Sequence, residues 1–300
     1  MYSENYKEDF TKINPEHATT IDVLVRLEKN WDKMVLNWSG YDISQFLKSF
    51  HAKSPISLSK YMNGFKKFTQ YVAEKNGVQK RDMGINNEDY FNCIDLDKLI
   101  AQTISKDEYE YIRLNLKLEK NKNTRDKLLF EMAWEGLTCD EIKNLKESDV
   151  EIHDNGAFVR TDNNIYLIED EEVVNDIQLV LKENTYFVHA YTGVEKCMSY
   201  TNSEYLFKPV AVGRKAEKPI GYLSNPTASL QTSLFRNNIK CEGISMKHLG
   251  LEDIRRSRLI YMLHQNSGTN FHEILSMFDI KSETNLYWLR KIIKSKYENH

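Results

Sequence analysis

The amino-acid sequence predicts a mainly helical protein of two domains, with one small antiparallel β-sheet set into the second. Three observations predict it. Apolar residues recur at i, i+3 and i+4 over most of the chain. The period changes to two in one region, from Val150 to Asp170, around the turn Asp154-Asn155-Gly156. The chain of 300 residues also exceeds the roughly 100–150 typical of a single domain.

Composition narrows the function classes. With 41% hydrophobic and 28% charged residues the chain can bury a sizeable core, and no apolar run approaches the roughly 18 residues of a membrane span. The start, MYSENYKEDF, is too polar for a signal peptide, so a cytoplasmic protein with no membrane partner is expected. Cys93, Cys139, Cys197 and Cys241 are far apart, and His248, His264 and His272 share no helical face, so no metal site and no cofactor are expected. The net charge of −3 hides an uneven distribution. Between Lys48 and Arg81 stand eight basic residues against the single acid Glu74, the footprint of an anionic partner.

The first domain is expected over residues 1–82. TTIDVLVRLEKNWDKM and GYDISQFLKSF carry helical periodicity, and SLSKYMNGFKKFTQYVAEKNGV forms an amphipathic helix from an N-cap at Ser57 to Gly77. Leu58, Tyr61, Met62, Phe65, Phe68 and Val72 make its inner face; Lys60, Asn63, Lys66, Lys67 and Gln70 its outer one. A solvated helix face is the ordinary reading of such lysines, and the scarcity of acids among them favours a binding surface. Residues 83–104 show no clear periodicity and read as a linker.

The second domain is expected over residues 105–300. Ser105 and Glu108 form a capping box opening KDEYEYIRLNLKLEK; TRDKLLFEMAWEG is a second helix ended by Gly136. Thr138 and Glu141 form another capping box before CDEIKNL. DVEIHDNGAFVRT is a hairpin, NNIYLIED a third strand, and EEVVNDIQLVLKEN returns to helix. YLFKP leads into a Gly/Pro/Lys-rich loop holding Arg214 and Lys215, followed by helices at SNPTASLQTSLFRNNIKCEG, LEDIRRSRLIYMLHQN, NFHEILSMF and SETNLYWLRKIIKSKY.

In this order, these words resemble the phage integrase family of tyrosine recombinases over nearly the whole chain. RDKLLFEMAWEGLTCDEIKNLKESDVEI is similar to the first box of that family, LEDIRRSRLIYML to the second, and FHEILSMFDIKSETNLYWL to the last, which ends at the nucleophilic tyrosine; the basic helix resembles its N-terminal core-binding domain. The resemblance implies a tyrosine-recombinase-like fold, a helical core-binding domain followed by an integrase catalytic-type domain. It also implies a site in which a tyrosine attacks a phosphodiester while arginines and a further donor hold the phosphate oxygens and a lysine protonates the leaving oxygen. Carried over by position, Arg255 and Tyr287 remain. The first arginine falls on Thr138, the His/Lys position of the second box on Glu252, and the last donor on Phe278 or Asp279. No lysine stands between Lys146 and Lys182, where Arg160 is the sole basic residue. Tyr287 also has an ordinary role open to it, as a packing aromatic in NLYWLRKII.

Three functions follow as expectations. The first is a sequence-specific protein for double-stranded DNA that lacks recombinase activity and is not an enzyme. By resemblance to the integrase-like repressors of SPβ-type Bacillus prophages, it would be a repressor that maintains lysogeny, nucleoid-associated in a bacterial host, its self-association on DNA left open. Its DNA contacts would be Lys60, Asn63, Lys66, Lys67, Arg160, Arg214, Lys215, Arg255, Arg256 and Arg258, the arginine trio having Glu252 and Asp253 as alternative partners. The second is an active recombinase using Tyr287, with Arg160 or His248 in shifted roles. The third, a helix-turn-helix regulator on GLTCDEIKNLKESDV, is disfavoured because a hairpin follows where a recognition helix should stand. KIIKSKYENH is expected either to dock on another copy or to fray.

Overall fold

The computed structural model describes residues 3–52, 55–79, 85, 87–116, 124–189, 195–200, 202–209, 222–266, 271–278 and 286–298. The chain forms two compact units, Met1–Leu99 and Ile100–His300.

The first unit is helical: α1 (Glu4–Ile13), α2 (Ala18–Asn30), α3 (Gly40–Lys48), α4 (Pro55–Lys75), α5 (Asn87–Phe91) and α6 (Leu96–Ile100, which crosses its boundary). Ser39 caps α3 through a reciprocal pair with Asp42. The long helix α4 starts two residues ahead of the expected cap, at Pro55, because proline's fixed φ suits a first helical position. It buries Leu58, Met62, Phe65, Phe68 and Val72, with Trp38 stacked on Phe65 at 5.9 Å. Its crossing with α2 is close: a Cβ on Gly64 would stand 3.0 Å from Thr20 Cγ2, so a larger residue there would push the helices apart. Glu28, fully buried, accepts from Ser3 N–H at 2.7 Å, Ser3 O–H at 2.6 Å and Val35 N–H at 2.7 Å, tying three separate stretches of chain to one carboxylate.

The segment expected as an irregular linker contains α5 and α6. Cys93 is buried with Sγ 3.4 Å from Ser44 Oγ, and Asp95 N–H donates to the Ala52 carbonyl at 2.9 Å, so this part packs within the first unit, whereas Ile104 N–H donates to Ser257 Oγ at 3.0 Å in the second. Helices of five residues are too short to show a period, which is why the sequence hides them.

The second unit is built around α8 (Thr124–Trp134), which packs on α7 (Lys106–Leu116), α10 (Glu171–Lys182), α11 (Pro226–Arg236) and α12 (Leu251–Gln265). Every residue of α8 from Arg125 to Trp134 is buried, and its four charged residues, Arg125, Asp126, Lys127 and Glu131, are taken inside with ion-pair partners. Ser105 N–H donates to Glu108 at 2.6 Å and Glu108 N–H to Ser105 Oγ at 3.2 Å, the capping box that opens α7. After α9 (Cys139–Asn144), strands β1 (Val150–His153), β2 (Gly156–Arg160) and β3 (Ile165–Ile168) form an antiparallel sheet in that order. Ala157, Val159 and Ile168 face the core, while Phe158, Ile165 and Leu167 lie outward.

A second hairpin, β4 (Thr185–His189) with β5 (Glu195–Ser199), adds to the single sheet expected. Its aromatic and β-branched run TYFV is a strand signal on one side only; the partner EKCMS has none. Helices α13 (Phe271–Met277) and α14 (Leu286–Ile293) follow, and Lys294–Glu298 continues as one π-helical turn. Within the described residues of this stretch, Lys296 Nζ pairs with Glu108 at 2.9 Å and Tyr297 stacks on His264 at 4.5 Å. Among the described residues no helix is long and apolar enough to cross a membrane, and no group of His, Cys, Asp and Glu is placed to hold a metal.

Candidate nucleic-acid interface

Two surfaces carry the residues of interest, one in each unit. In the first, α4 presents Lys60, Asn63, Lys66, Lys67 and Gln70 to solvent because its apolar residues take the opposite stripe. Lys67 Nζ stands 3.8 Å from Glu16 Oε1, and with both groups exposed this pairing contributes little.

In the second unit the turn between α8 and α9 gathers the boxes. Gly136 ends α8 at φ +106°, a conformation L side chains rarely adopt, and a Cβ there would also meet the rings of Phe278 and Tyr166 at 3.7 Å. Thr138 caps α9: its Oγ1 accepts from Glu141 N–H at 3.2 Å, and Glu141 Oε2 takes the Thr138 N–H at 2.8 Å. A neutral cap therefore stands where the resemblance to the integrase family places its first arginine. Thr138→Ala is expected to lower the unit's stability by about 1 kcal/mol, measured by urea denaturation, with the fold kept.

Arg255 reaches this turn from α12. Its Nε donates to the Gly136 carbonyl at 2.6 Å, and its guanidinium lies over the Phe278 ring at 5.2 Å. Glu252, one turn earlier, accepts from Cys139 N–H at 2.9 Å. Thr138, Glu252, Arg255 and Phe278, spread over 140 residues of sequence, thus meet around Gly136.

The other expected residues lie elsewhere. Arg256 pairs with Asp253 at 2.6 Å, and Arg258 lies over Trp134 at 5.6 Å and Tyr261 at 5.8 Å, so both guanidinia have partners in their own unit. Arg160 donates to Glu151 at 2.6 and 3.0 Å, and it lines a cleft of about 640 Å³ shared with Thr138, Glu141, Lys146 and Tyr205. His248 is exposed on the turn before α12. Arg214, Lys215 and Asp279 lie outside the described residues, and Tyr287 lies on α14 with its side chain outside them.

One cluster at this site was not singled out from the sequence. Glu141 also accepts from Thr161 at 2.8 Å, from Asn164 at 3.3 Å and from the Tyr166 hydroxyl at 3.0 Å. Burial opposes its ionisation, but these hydrogen bonds and those from Thr138 outweigh it and hold its carboxyl below the usual range. Burial, reinforced by Glu141, pushes the Tyr166 hydroxyl up, so it keeps its proton. The signal was the capping box itself; that the same carboxylate collects three β-strand and turn residues is a matter of tertiary placement.

No protein-family model matches the sequence, and no curated protein matches it. Solved structures do. The XerH site-specific recombinase bound to palindromic difH substrate, in a post-cleavage complex, superposes with a TM-score of 0.57 at 12% identity, over 95% of this chain and 77% of that one. The Tn1549 transposon integrase, in complex with circular intermediate DNA, superposes with a TM-score of 0.53 at 13% identity, over 96% and 95% of the two chains. The class is thereby defined at the level of fold: mainly helical with small antiparallel sheets, the tyrosine-recombinase fold. The same matches correct the expectation that the chain is not an enzyme. Structures sharing its fold over almost its full length are recombinases, one of them captured after cleavage, so replaced positions alone do not remove it from an enzymatic class.

Proposed function

We propose that the chain grips a specific site on double-stranded DNA with this fold and acts there as a regulator, a repressor of prophage genes. The observation that carries the proposal is the outer face of α4, where Lys60, Asn63, Lys66 and Lys67 form a regular, exposed, acid-poor surface. Lysines so placed neutralise backbone phosphates, whose contacts supply affinity and register. The repressor role is supported by the resemblance to the integrase family together with the replaced positions Thr138, Glu252 and Phe278, a combination similar to integrase-like prophage repressors.

Replacing Lys66 and Lys67 together by alanine is expected to weaken duplex binding across all sequences. It should also flatten the plot of log affinity against log salt by about 2, one counterion for each lysine. Unchanged affinity and slope in a salt series would remove this surface from the interface. Recovery of bound genomic fragments then separates a regulator, with several promoter sites, from a recombinase with one attachment site.

Strand transfer through Tyr287 is the second reading, favoured by Arg255, whose Nη2 is buried without a hydrogen-bond partner beside the box-one turn. A nicked suicide duplex would trap protein covalently at Tyr287 if that reading holds, and Tyr287→Phe would abolish the adduct.

A further inference from the structure

Arg255 carries a guanidinium that is only partly engaged. Of its donors, Nε is held by the Gly136 carbonyl at 2.6 Å, and one face of the group lies over Phe278. Nη2 is buried with no partner, and Nη1 stands 4.0 Å from Glu252 Oε2. The other oxygen of Glu252 accepts the Cys139 N–H at 2.9 Å. One carboxylate therefore sits beside the cation and on the backbone donor at the same turn. A phosphodiester oxygen has the same charge and the same lone-pair demand, and a guanidinium fork binds either.

We infer that Glu252 is a built-in competitor for phosphate at Arg255, a gate that a DNA backbone must displace before it can use this arginine. With Glu252 in place, an arriving phosphate would put a second anion beside the same cation and would find the Cys139 donor taken. The Glu252 side chain is 58% exposed, so it can swing into solvent without disturbing the core. Phe278, 4% exposed, backs one face of the guanidinium. The gate makes the affinity of this contact smaller than that of an open arginine, so it tunes how firmly DNA is held and how sharply it is released. The inference rests on the DNA-binding reading above and adds its regulation.

The test is Glu252→Gln, which keeps an oxygen for Cys139 N–H and removes the charge. Duplex affinity is expected to rise about tenfold, the scale of one charged hydrogen bond gained. The salt dependence should steepen by about 1. In an Arg255→Gln background the same change is expected to give no gain; if that background does not fold, Arg255→Lys takes its place and the gain should shrink. Equal affinity of wild type and Glu252→Gln, or an equal gain without Arg255, overturns the gate. If no form binds any duplex, the DNA-binding reading falls instead. The gate is then judged separately with inorganic phosphate: Glu252→Gln should gain thermal stabilisation from it that wild type and the double variant lack, and the absence of that gain overturns it.

Discussion

Replacing Lys127 by alanine is expected to cost about 3–5 kcal/mol of the second unit's stability, read by urea denaturation, because it strands a buried carboxylate. Lys127 is 3% exposed and pairs with Asp176, itself buried, and with Glu131 at 3.1 Å. Arg113 completes the cluster, bonding Glu131 at 2.8 Å and Asp170 at 2.8 and 3.0 Å. Each cation already has an aspartate, so Glu131 is the surplus acid. Burial lifts its pKa to about 8, opposed by Lys127 and Arg113, and its Oε2 has no partner. The pH consequence has a definite sign. A carboxyl that holds its proton more tightly when folded stabilises the fold below its unfolded value, near 4.5, and that contribution is lost as pH rises through about 8. Glu131→Gln, which stays neutral, should fold normally and lose less stability than wild type between pH 5 and pH 8. A parallel decline in the two proteins would show that Glu131 is ionised throughout.

Trp134→Ala is the second large effect, about 3–5 kcal/mol from lost burial and the cavity left behind. Trp134 is 1% exposed and stacked on Tyr109 at 4.2 Å, with Arg258 over its ring at 5.6 Å. It joins α8, which ends at the box-one turn, to α12, which delivers Arg255 to that turn. Its loss is therefore expected to weaken duplex binding beyond what reduced stability explains, and binding at low temperature, where the variant is fully folded, checks this. Affinity equal to wild type under those conditions would show that the two helices hold register without it.

Legibility followed the range of the interaction. Capping boxes at Ser105 and Thr138, the Asn155-Gly156 turn and the lysine face of α4 are local patterns, and each stands where the sequence puts it. Short elements without an alternating pattern or a marked turn failed, as with α5, α6 and the second hairpin, because their partners rather than their own period define them. The site divides in the same way. The order of the boxes located Thr138, Glu252, Arg255 and Phe278, but nothing local says that Glu252 bonds Cys139, 113 positions away. Nor does the IRRSR word reveal that its first arginine turns to the box while the next two turn to Asp253 and Trp134. The inference from missing catalytic residues to a missing reaction was a step of another kind, from residue identity to activity, and the fold matches overturned it.

The pairing of Lys296 with Glu108 has a mechanical side. It fastens the turn after α14 to α7, the first long helix of the second unit, so those two elements are cross-braced although nearly two hundred residues separate them. Tension drawing them apart would be shared between this ion pair, the Tyr297–His264 stack and the buried Leu289 and Ile292 of α14, so the brace is a parallel strut to the core and not a substitute for it.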